Sequence, residues 1–302
     1  MHINLKVRPM DENRTYRIAV ASGKGGTGKT LVATNLADMW SVDRELLLVD
    51  LDVEEPNDAL FLSVVPEPAQ TQFKMIPEWN SDSCTLCDIC TEVCNFNAIA
   101  RMGEYIIVFE ELCHSCYACS GLCPTDALPM KPRRMGELQT AKREQLYFIE
   151  GRLDIGQEQA VPMIRKVIQT VDKRQDIPDL QLFDCPPGTS CPVVNAVHTA
   201  DLVILVTEPT AFGLNDLQLA VETMRSMNKE MGVVINRDGI GDDAVQRWCD
   251  ASGIEVIATI PYDSQLAYAY AKGKLSWKTN SRLREALEEI IAYASEKMKT
   301  HV

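Results

Sequence analysis

The chain has 302 residues and is 46% hydrophobic, enough for one large α/β domain and a small second one. Its formal net charge of −13 argues against a general nucleic-acid surface, which needs a basic face. No apolar run approaches the ~20 residues of a bilayer span, and residues 1–16 lack the apolar core of a signal peptide. We therefore expect a cytoplasmic protein with neither a nucleic-acid partner nor a membrane partner.

The first predicted elements surround a glycine-rich loop. Residues 1–14 form a lead-in, with an extra edge strand predicted around Ile3, Leu5 and Val7. Residues 17–21 are a predicted buried strand, and residues 31–40 carry apolar side chains at helical spacing. From Gly23 to Thr30 the intervening loop fits the phosphate-loop pattern, in which backbone amides surround a phosphate chain. The residues of this loop that we expect to bind ATP are Gly25, Gly26, Thr27, Gly28, Lys29 and Thr30.

The loop pattern also predicts a magnesium site. In it Lys29 reaches the β- and γ-phosphates, and the Thr30 hydroxyl holds Mg²⁺. The next predicted strand, residues 45–50, ends at Asp50, and Asp52 follows two positions later. Alternate residues of an extended chain point to the same side. Because ligands bind at the carboxyl ends of parallel strands, we expect these carboxylates to face the γ-phosphate.

Eight of the eleven cysteines fall between positions 84 and 123. In a cytosolic chain such clustering is more typical of metal ligands than of disulfides. Two runs share the spacing Cys-x₂-Cys-x₂-Cys-x₃-Cys, and the second begins 29 residues after the first. They are Cys84, Cys87, Cys90 and Cys94, then Cys113, Cys116, Cys119 and Cys123. This spacing favours two [4Fe–4S] clusters over the alternative, two tetrahedral Cys₄ zinc sites.

The composition of the segments around the cysteine runs predicts their structure. Three prolines in residues 58–79 predict a transition without long elements. Residues 104–109 predict a short hairpin strand between the runs, and His114, inside the second run, is expected to be an exposed loop residue. Residues 131–146 hold five basic residues against two acidic ones and are interpreted as a linker that leaves the insert.

Further strands and helices alternate after the insert. Strands are predicted at residues 146–151, 179–184, 202–207, 231–236 and 255–260, with helices at 157–171, 213–227 and 282–299. The terminal helix mixes acidic and basic residues, so packing on the sheet is favoured over membrane attachment. Asp184 ends a strand and is followed by Pro186, Pro187 and Gly188. Cys185 and Cys191 flank this segment and are interpreted as small packing residues or, alternatively, as a thiol pair.

Together these motifs resemble the MinD/ParA group of ATPases, whose deviant phosphate loop carries the additional lysine found here as Lys24. The resemblance implies a nucleotide-sandwich dimer, formed with a second copy or a paralogue, in which Lys24 acts on the partner's nucleotide. It also implies that Asp52 positions the attacking water and contacts the Mg²⁺ shell, and that Asp184 holds Mg²⁺ through water. Lys24, Lys29 and Asp52 are the catalytic candidates. The Gly188 N–H would sense the γ-phosphate, and the implied adenine-pocket residues are Asn236, Arg237, Pro261 and Asp263.

The cysteine-rich segment resembles a bacterial two-cluster ferredoxin, in which the fourth cysteine of each run binds the other cluster. That resemblance assigns the first cluster to Cys84, Cys87, Cys90 and Cys123. It assigns the second cluster to Cys94, Cys113, Cys116 and Cys119.

We therefore expect an α/β protein with a doubly wound, mostly parallel sheet and an inserted small α+β ferredoxin domain. The expected ATPase domain comprises residues 1–74 and 137–302, and the insert comprises residues 75–136. The function implied is an ATPase that couples its nucleotide state to two [4Fe–4S] clusters, for electron delivery to, or cluster assembly on, a partner protein. Two alternatives stay open: a MinD/ParA-like positioning or scaffold ATPase with structural clusters, and an iron–sulfur cluster carrier that uses Cys185 and Cys191.

Overall fold

A computed structural model describes residues 15–300 of the chain, so the strand predicted around Ile3, Leu5 and Val7 lies outside the described residues. The strands are β1 Tyr16–Ala21, β2 Leu46–Asp50, β3 Gln70–Pro77, β4 Ile99–Met102, β5 Tyr105–Val108, β6 Met130–Arg143, β7 Leu146–Leu153, β8 Leu180–Asp184, β9 Leu202–Thr207, β10 Glu230–Asp238 and β11 Val256–Pro261. The helices are α1 Lys29–Trp40, α2 Asp58–Leu62, α3 Ile89–Glu92, α4 Ala118–Gly121, α5 Ala160–Lys173, α6 Cys191–Val197, α7 Ala211–Ser226, α8 Ala244–Ser252, α9 Ser264–Ala271 and α10 Ser281–Thr300.

Nine strands form one sheet in the order β11-β10-β9-β1-β8-β2-β7-β6-β3. Every pair from β11 to β7 is parallel, whereas β6 pairs antiparallel with both β7 and β3. The expectation of a doubly wound, mostly parallel sheet is confirmed. Central strands such as β2 are buried along their whole length because helices cover both faces, which explains their uninterrupted apolar sequences.

Alternate residues of each central strand enter different cores. Ala19 and Ala21 of β1 belong to the core beneath α5, α6, α7 and α8, while Ile18 and Val20 belong to the core beneath α1 and α10. Helix α10 buries Leu283, Leu287, Ile290 and Ala294 in the second core, so its predicted packing on the sheet is confirmed. None of the helices within residues 15–300 combines the length and apolar composition that a bilayer span needs.

The cysteine-rich segment is attached to the main sheet by a ribbon of two strands. Strand β3 leads into the segment and β6 leads out, and Pro77 pairs with Met130 at the point of departure. Residues 78–129 then form a unit of two short helices and the β4–β5 hairpin. The interpretation of residues 131–146 as a linker is therefore wrong, and the transition expected in residues 58–79 contains all of α2 and β3.

The physical reason for these errors lies in the two faces of β6. Met135 and Leu138 are buried against the main core, but exposed Arg134 and the basic residues around it dominate the composition. Pro132 lies in the part of β6 that pairs only with β3, where a missing N–H removes no second ladder bond. The proposed domain boundaries at 74/75 and 136/137 fall inside β3 and β6.

Candidate functional site

The phosphate loop connects the buried end of β1 to the first residues of α1. Gly26 and Gly28 have φ values of 82° and 99°, left-handed conformations that favour glycine. A Cβ at Gly28 would lie 2.2 Å from the Asn236 side-chain nitrogen, so the close approach also requires glycine there. Lys29 and Thr30, both buried, begin α1, where free backbone amides and the helix dipole favour an anion.

Three acidic residues lie side by side on adjacent strands, two of them at the ends of β2 and β8 and the third within β7. Asp50 of β2 is in register with Glu150 of β7 on one side and with Asp184 of β8 on the other. Asp50 accepts hydrogen bonds from the backbone amides of Asp52, Asn57 and Asp58, at 3.0, 2.9 and 3.2 Å, so it shapes the loop after β2. Asp52, in the loop that follows β2, therefore lies beside Asp50. Strand register thus brings the two predicted acidic segments to one edge.

Burial and mutual repulsion raise the pKa values of this carboxylate group. Burial is the larger cause at Asp50 and Asp58, and the charge of Asp184 adds to it. At Asp184 burial also raises the pKa, while Lys29 and the Thr30 hydroxyl lower it. Burial raises the pKa of Asp52 to about 6, although Lys29 opposes the rise.

The residues predicted to hold Mg²⁺ fit a hard cation. Thr30 Oγ1 donates a hydrogen bond of 2.7 Å to Asp184 Oδ2, while the buried Asp184 Oδ1 has no hydrogen-bond donor. Asp52 is half-buried at the same edge. A divalent cation would offset the repulsion between these carboxylates, and hydroxyl and carboxylate oxygens are the ligands that Mg²⁺ prefers.

Lys24 is held within its own chain. Its Nζ lies 2.7 Å from Glu208 Oε1, and Arg237 lies 3.0 Å from the other oxygen of the same carboxylate. Burial raises the pKa of Glu208, but Lys24 and Arg237 hold the net pKa below its usual range. Glu208 is a site residue that the sequence interpretation missed, although its position directly after β9, at the sheet edge of Asp50 and Asp184, was a usable signal.

The predicted adenine-pocket residues lie at or just after the ends of β10 and β11, and three of them, Asn236, Arg237 and Asp263, already have partners in the chain. Asn236 donates from Nδ2 to the Thr27 carbonyl at 2.7 Å and accepts from the Arg237 amide at 2.9 Å, which braces the phosphate loop. Asp263 caps α9 through the Gln265 amide and follows Pro261 at the end of β11. Base contact by these residues stays a prediction.

Gly188 contacts the phosphate loop in this structure. Its amide donates to the Ser22 carbonyl at 3.0 Å, and its φ of 95° favours glycine. The segment after Asp184 therefore rests directly on the loop where the γ-phosphate is expected, and then enters α6 at Cys191.

The eight clustered cysteines line two separate cavities. The first cavity is lined by Cys84, Cys87, Cys90 and Cys123. The second cavity is lined by Cys94, Cys113, Cys116 and Cys119. Each cavity thus combines three cysteines of one run with the fourth of the other. Within residues 15–300, no three Cys, His, Asp or Glu side chains are grouped as ligands of a single metal ion.

The backbone repeats around the two cavities. Left-handed residues occur at Leu86, Asp88 and Asn97 and recur 29 positions later at Ser115, Tyr117 and Asp126. The Ala98 and Ala127 amides donate to the sulfurs of Cys94 and Cys123, at 3.3 and 3.2 Å. Amide donors to cysteine sulfur and a largely apolar enclosure are the features by which proteins bind and tune iron–sulfur clusters, so both sites fit this group.

His114 lies in a loop, as expected, but it is half-buried rather than exposed. Its ring stacks on Phe96, with centroids 3.8 Å apart, and Gln159, which precedes α5, lies beside it. Burial lowers the pKa of His114, Lys74 and Arg165 lower it further, and Gln159 raises it. The cysteine loop packs against the helical layer of the main sheet, a contact between distant segments that local composition did not predict.

Comparison with known proteins decides the family. The model of the CobQ/CobB/MinD/ParA nucleotide-binding domain matches residues 18–277, which is most of the chain. The chain belongs to this family.

Relatives and solved structures extend this result. An uncharacterized protein of Methanocaldococcus jannaschii is 30% identical over 283 residues, covering 90% of this chain and 95% of the relative. An iron-sulfur cluster carrier protein of Pyrococcus horikoshii is 23% identical, covering 85% of this chain and 78% of the relative. The cell division ATPase MinD of Pyrococcus furiosus superposes with a TM-score of 0.57 at 21% identity, covering 95% of this chain and all of that one. MinD of P. horikoshii, complexed with Mg-ADP, gives 0.58 at 21% identity, covering 94% and 98%.

The MinD-like assignment accounts for the fold around the phosphate loop. Three of the eleven cysteines lie outside the two cavities. Cys185 is completely buried at the end of β8, and burial raises the pKa of its thiol well above the usual range. Cys191 is exposed at the first position of α6, and Cys249 is buried in the core. One thiol of the suggested Cys185–Cys191 pair is thus inaccessible.

Proposed function

We propose that this MinD-like protein is an ATPase switch that couples its nucleotide state to two [4Fe–4S] clusters in an inserted ferredoxin module. The module corresponds to the proposed segment 75–136, and the partner is a redox protein or a protein on which a metal cluster is assembled. The active form proposed is a dimer, formed with a second copy or a paralogue. ATP hydrolysis is supported by the family, whose MinD members are ATPases.

In this proposal the nucleotide part works through the loop and the acidic edge of the sheet. Lys29 binds the β- and γ-phosphates, while Thr30, Asp52 and Asp184 hold Mg²⁺. The bound ion would neutralise charge that develops on the phosphates. Asp52 orients the attacking water, and Lys24 leaves Glu208 to reach the partner's nucleotide. Asn236, Arg237, Pro261 and Asp263 bind the base.

The cluster part of the proposal is supported by the ligand sets of the two cavities. The crossed sets, with three thiolates of one run and the fourth of the other, are those of two-cluster ferredoxins. A zinc knuckle lacks the third cysteine at this spacing. The repeated amide donors to Cys94 and Cys123 would stabilise thiolate ligands and tune the potentials of such clusters.

The observation that carries the coupling is a continuous set of contacts between the nucleotide segment and the second cavity. Gly188 rests on Ser22, and α6 follows this segment directly. Asn195 of α6 accepts a hydrogen bond of 2.8 Å from Arg165 of α5. Gln159, which precedes α5, lies beside His114 and opposes the lowering of its pKa by burial, and His114 lines the second cavity. Movement of the Gly188 segment would therefore reach the second cluster through two packed helices.

The test is an anaerobic redox titration followed by EPR, with no nucleotide, with ADP and with a non-hydrolysable ATP analogue. We expect two S = 1/2 signals, at least one of which changes potential with nucleotide. Lys29→Ala, which removes a phosphate ligand, is the control and should make the potentials independent of nucleotide. Clusters that are present and have the same potentials in all three states would overturn the coupling.

The second candidate is an iron–sulfur cluster carrier, favoured by the carrier proteins among the relatives and by the exposed Cys191 thiol. It requires a labile cluster in addition to the two in the insert. We expect such a cluster to be lost in Cys191→Ala and kept in Cys249→Ala, because Cys249 is buried. Equal iron content in wild type and Cys191→Ala would exclude Cys191 as a transfer site.

A further inference from the structure

The two cysteine cavities differ in the cation that lies against them. Lys74 of β3 is only 3% exposed and lies beneath the loop of the second run. Its Nζ donates to the backbone carbonyls of Glu110 and Cys113, at 2.9 and 3.2 Å. Among the salt bridges within residues 15–300, none involves Lys74. Burial lowers the pKa of Lys74, and the negative charge of the Cys113 sulfur opposes that shift. The ammonium group of Lys74, held on carbonyl oxygens without a carboxylate, lies in a region of low dielectric.

The first cavity has a counterpart whose charge is neutralised. Arg101 donates to the Leu86 carbonyl at 3.0 Å and to the Asp88 carboxylate at 2.6 Å, both in the loop of the first run. Its side chain is 37% exposed. An exposed pair of opposite charges is screened by water, so its effect on the first cluster is small.

The acidic groups nearest Lys74 are engaged elsewhere. Glu110 forms salt bridges with Lys131 and Arg133 at 3.6 and 3.1 Å, and Glu111 lies 2.8 Å from Arg133. Arg133 is thereby largely neutralised, and Lys74 has no salt-bridge partner of its own among residues 15–300. Lys74 is therefore a buried cation that lies against the second cavity without a paired carboxylate.

The cavities also differ in position. The first is lined only by residues of the insert, from Trp79 to Leu128. The second reaches Pro77 and Met130, at the ends of β3 and β6, and includes His114, which contacts the helical layer. The second cavity is thus the one adjacent to the ATPase unit.

We propose that Lys74 gives the second cluster the higher reduction potential, so that an electron entering at the first cluster is stored at the second, next to the ATPase unit. A low-potential one-electron donor reduces the first cluster, which returns to its oxidised state when the electron passes to the second. Reduction adds one negative charge to a cluster, and a buried cation stabilises that charge. The inference rests on the proposed function in so far as it requires both clusters to be bound.

The test compares Lys74→Met with Arg101→Met in the full chain, reconstituted anaerobically and titrated by EPR without nucleotide. Cys87→Ser and Cys116→Ser assign the two reduction steps to the first and second cluster. We expect Lys74→Met to lower the equilibrium constant for electron transfer from the first to the second cluster at least tenfold, which is about 59 mV for one electron. Arg101→Met should change it much less, and Lys74→Arg should restore the wild-type value.

Iron and acid-labile sulfide are measured before any titration. Wild-type protein without the iron of two [4Fe–4S] clusters would overturn the proposed function, and this inference with it. Reduction potentials that do not change with nucleotide would overturn only the proposed coupling between nucleotide state and the clusters. An unchanged separation in fully loaded Lys74→Met, or an equal shift in Arg101→Met, would overturn the role of Lys74. Lys74→Gln keeps a donor without the charge and gives the same comparison where Lys74→Met does not fold.

Discussion

At the scale of single residues, Asp58 is the carboxyl group at the acidic edge of the sheet whose burial is least compensated by donors. It is completely buried at the start of α2, and no lysine, arginine or backbone amide within residues 15–300 donates to its carboxyl oxygens. Burial, with the charges of Asp50 and Asp184, raises its pKa well above the usual range. Its ordinary pKa in an unfolded chain is about 3.9. The folded state therefore keeps a proton that the unfolded state loses.

It follows that the nucleotide-free protein loses stability as pH rises above about 4, because the unfolded state then binds fewer protons than the folded state. Asp58→Asn removes this pH dependence and should raise the melting temperature at pH 8, by the equivalent of about 1–3 kcal/mol, the usual desolvation cost of one buried polar group. The difference from wild type should shrink towards pH 4.5. Thermal melts across this range, with the exposed substitution Glu289→Gln as control, check it. A variant that melts lower than wild type at pH 8 would contradict the prediction.

Lys24 has two competing partners in the proposed dimer, which are Glu208 of its own chain and the nucleotide of the partner subunit. In the single chain its ammonium is bound to Glu208, a carboxylate that is only 10% exposed. If Lys24 acts across a dimer, this bond has to break first. Hydrogen bonds to charged groups contribute about 1.5–3 kcal/mol, enough to oppose association measurably.

Glu208→Gln should therefore promote self-association in the presence of an ATP analogue, by about tenfold in the dimerisation constant, or ~1.4 kcal/mol. Lys24→Ala should abolish that association. Sedimentation velocity measures both, and Asp243→Asn, which removes an exposed pair with Arg247, is the matched control. Weaker association of Glu208→Gln than of wild type would show that Glu208 does not restrain Lys24.

At the scale of elements, the contact between α5 and α6 connects the nucleotide segment to the insert. The Arg165–Asn195 hydrogen bond joins the two helices, and Asn195 also donates to the Cys191 carbonyl at 2.8 Å, at the start of α6. Both side chains lie at the surface, so their loss should not disrupt the core.

Arg165→Met should reduce or remove the nucleotide-dependent shift in cluster potential while ATP affinity and iron content stay unchanged. The reason is that the substitution breaks the helix–helix hydrogen bond without touching the phosphate loop or a cysteine. Arg225→Met is the matched control. Arg225 of α7 donates to the Ser252 carbonyl at the end of α8, so this bond also joins two helices but is not part of the α5–α6 contact. A full nucleotide response in Arg165→Met would mean that coupling follows another route.

At the scale of the whole molecule, the insert departs from a ribbon that is already closed by strand pairing. Pro77 and Met130 are paired, so residues 78–129 begin and end at adjacent points. Replacing residues 78–129 with Asn-Gly, a sequence typical of two-residue hairpin turns, should leave a β3–β6 hairpin on the sheet. We expect the shortened chain to fold and to bind nucleotide with wild-type affinity, but to bind no iron. Calorimetric nucleotide titration and iron analysis check this; loss of nucleotide binding would show that the insert is part of the ATPase core.

How much of this molecule could be read from its sequence depends on how far apart the interacting residues are. The phosphate loop occupies adjacent positions, and the two cysteine runs repeat a short spacing, so both are visible without a fold. The buried strands were also visible, because a parallel sheet covered on both faces requires uninterrupted apolar residues. Strand β6 was not, because its exposed basic residues dominate a segment in which Met135 and Leu138 are among the few buried apolar residues.

The contacts between distant segments needed the folded chain. Strand register brings Glu150 and Asp184 to either side of Asp50, and α2 places Asp58 against them. Lys24 meets Glu208 across 184 positions, and Lys74 meets Cys113 across 39. Each of these residues is unremarkable within its own segment. The motifs are formed by residues close in sequence, so they can be recognised from the sequence alone. The charged residues that restrain or tune these motifs lie far away in the sequence, and only the packing of the folded chain brings them into contact.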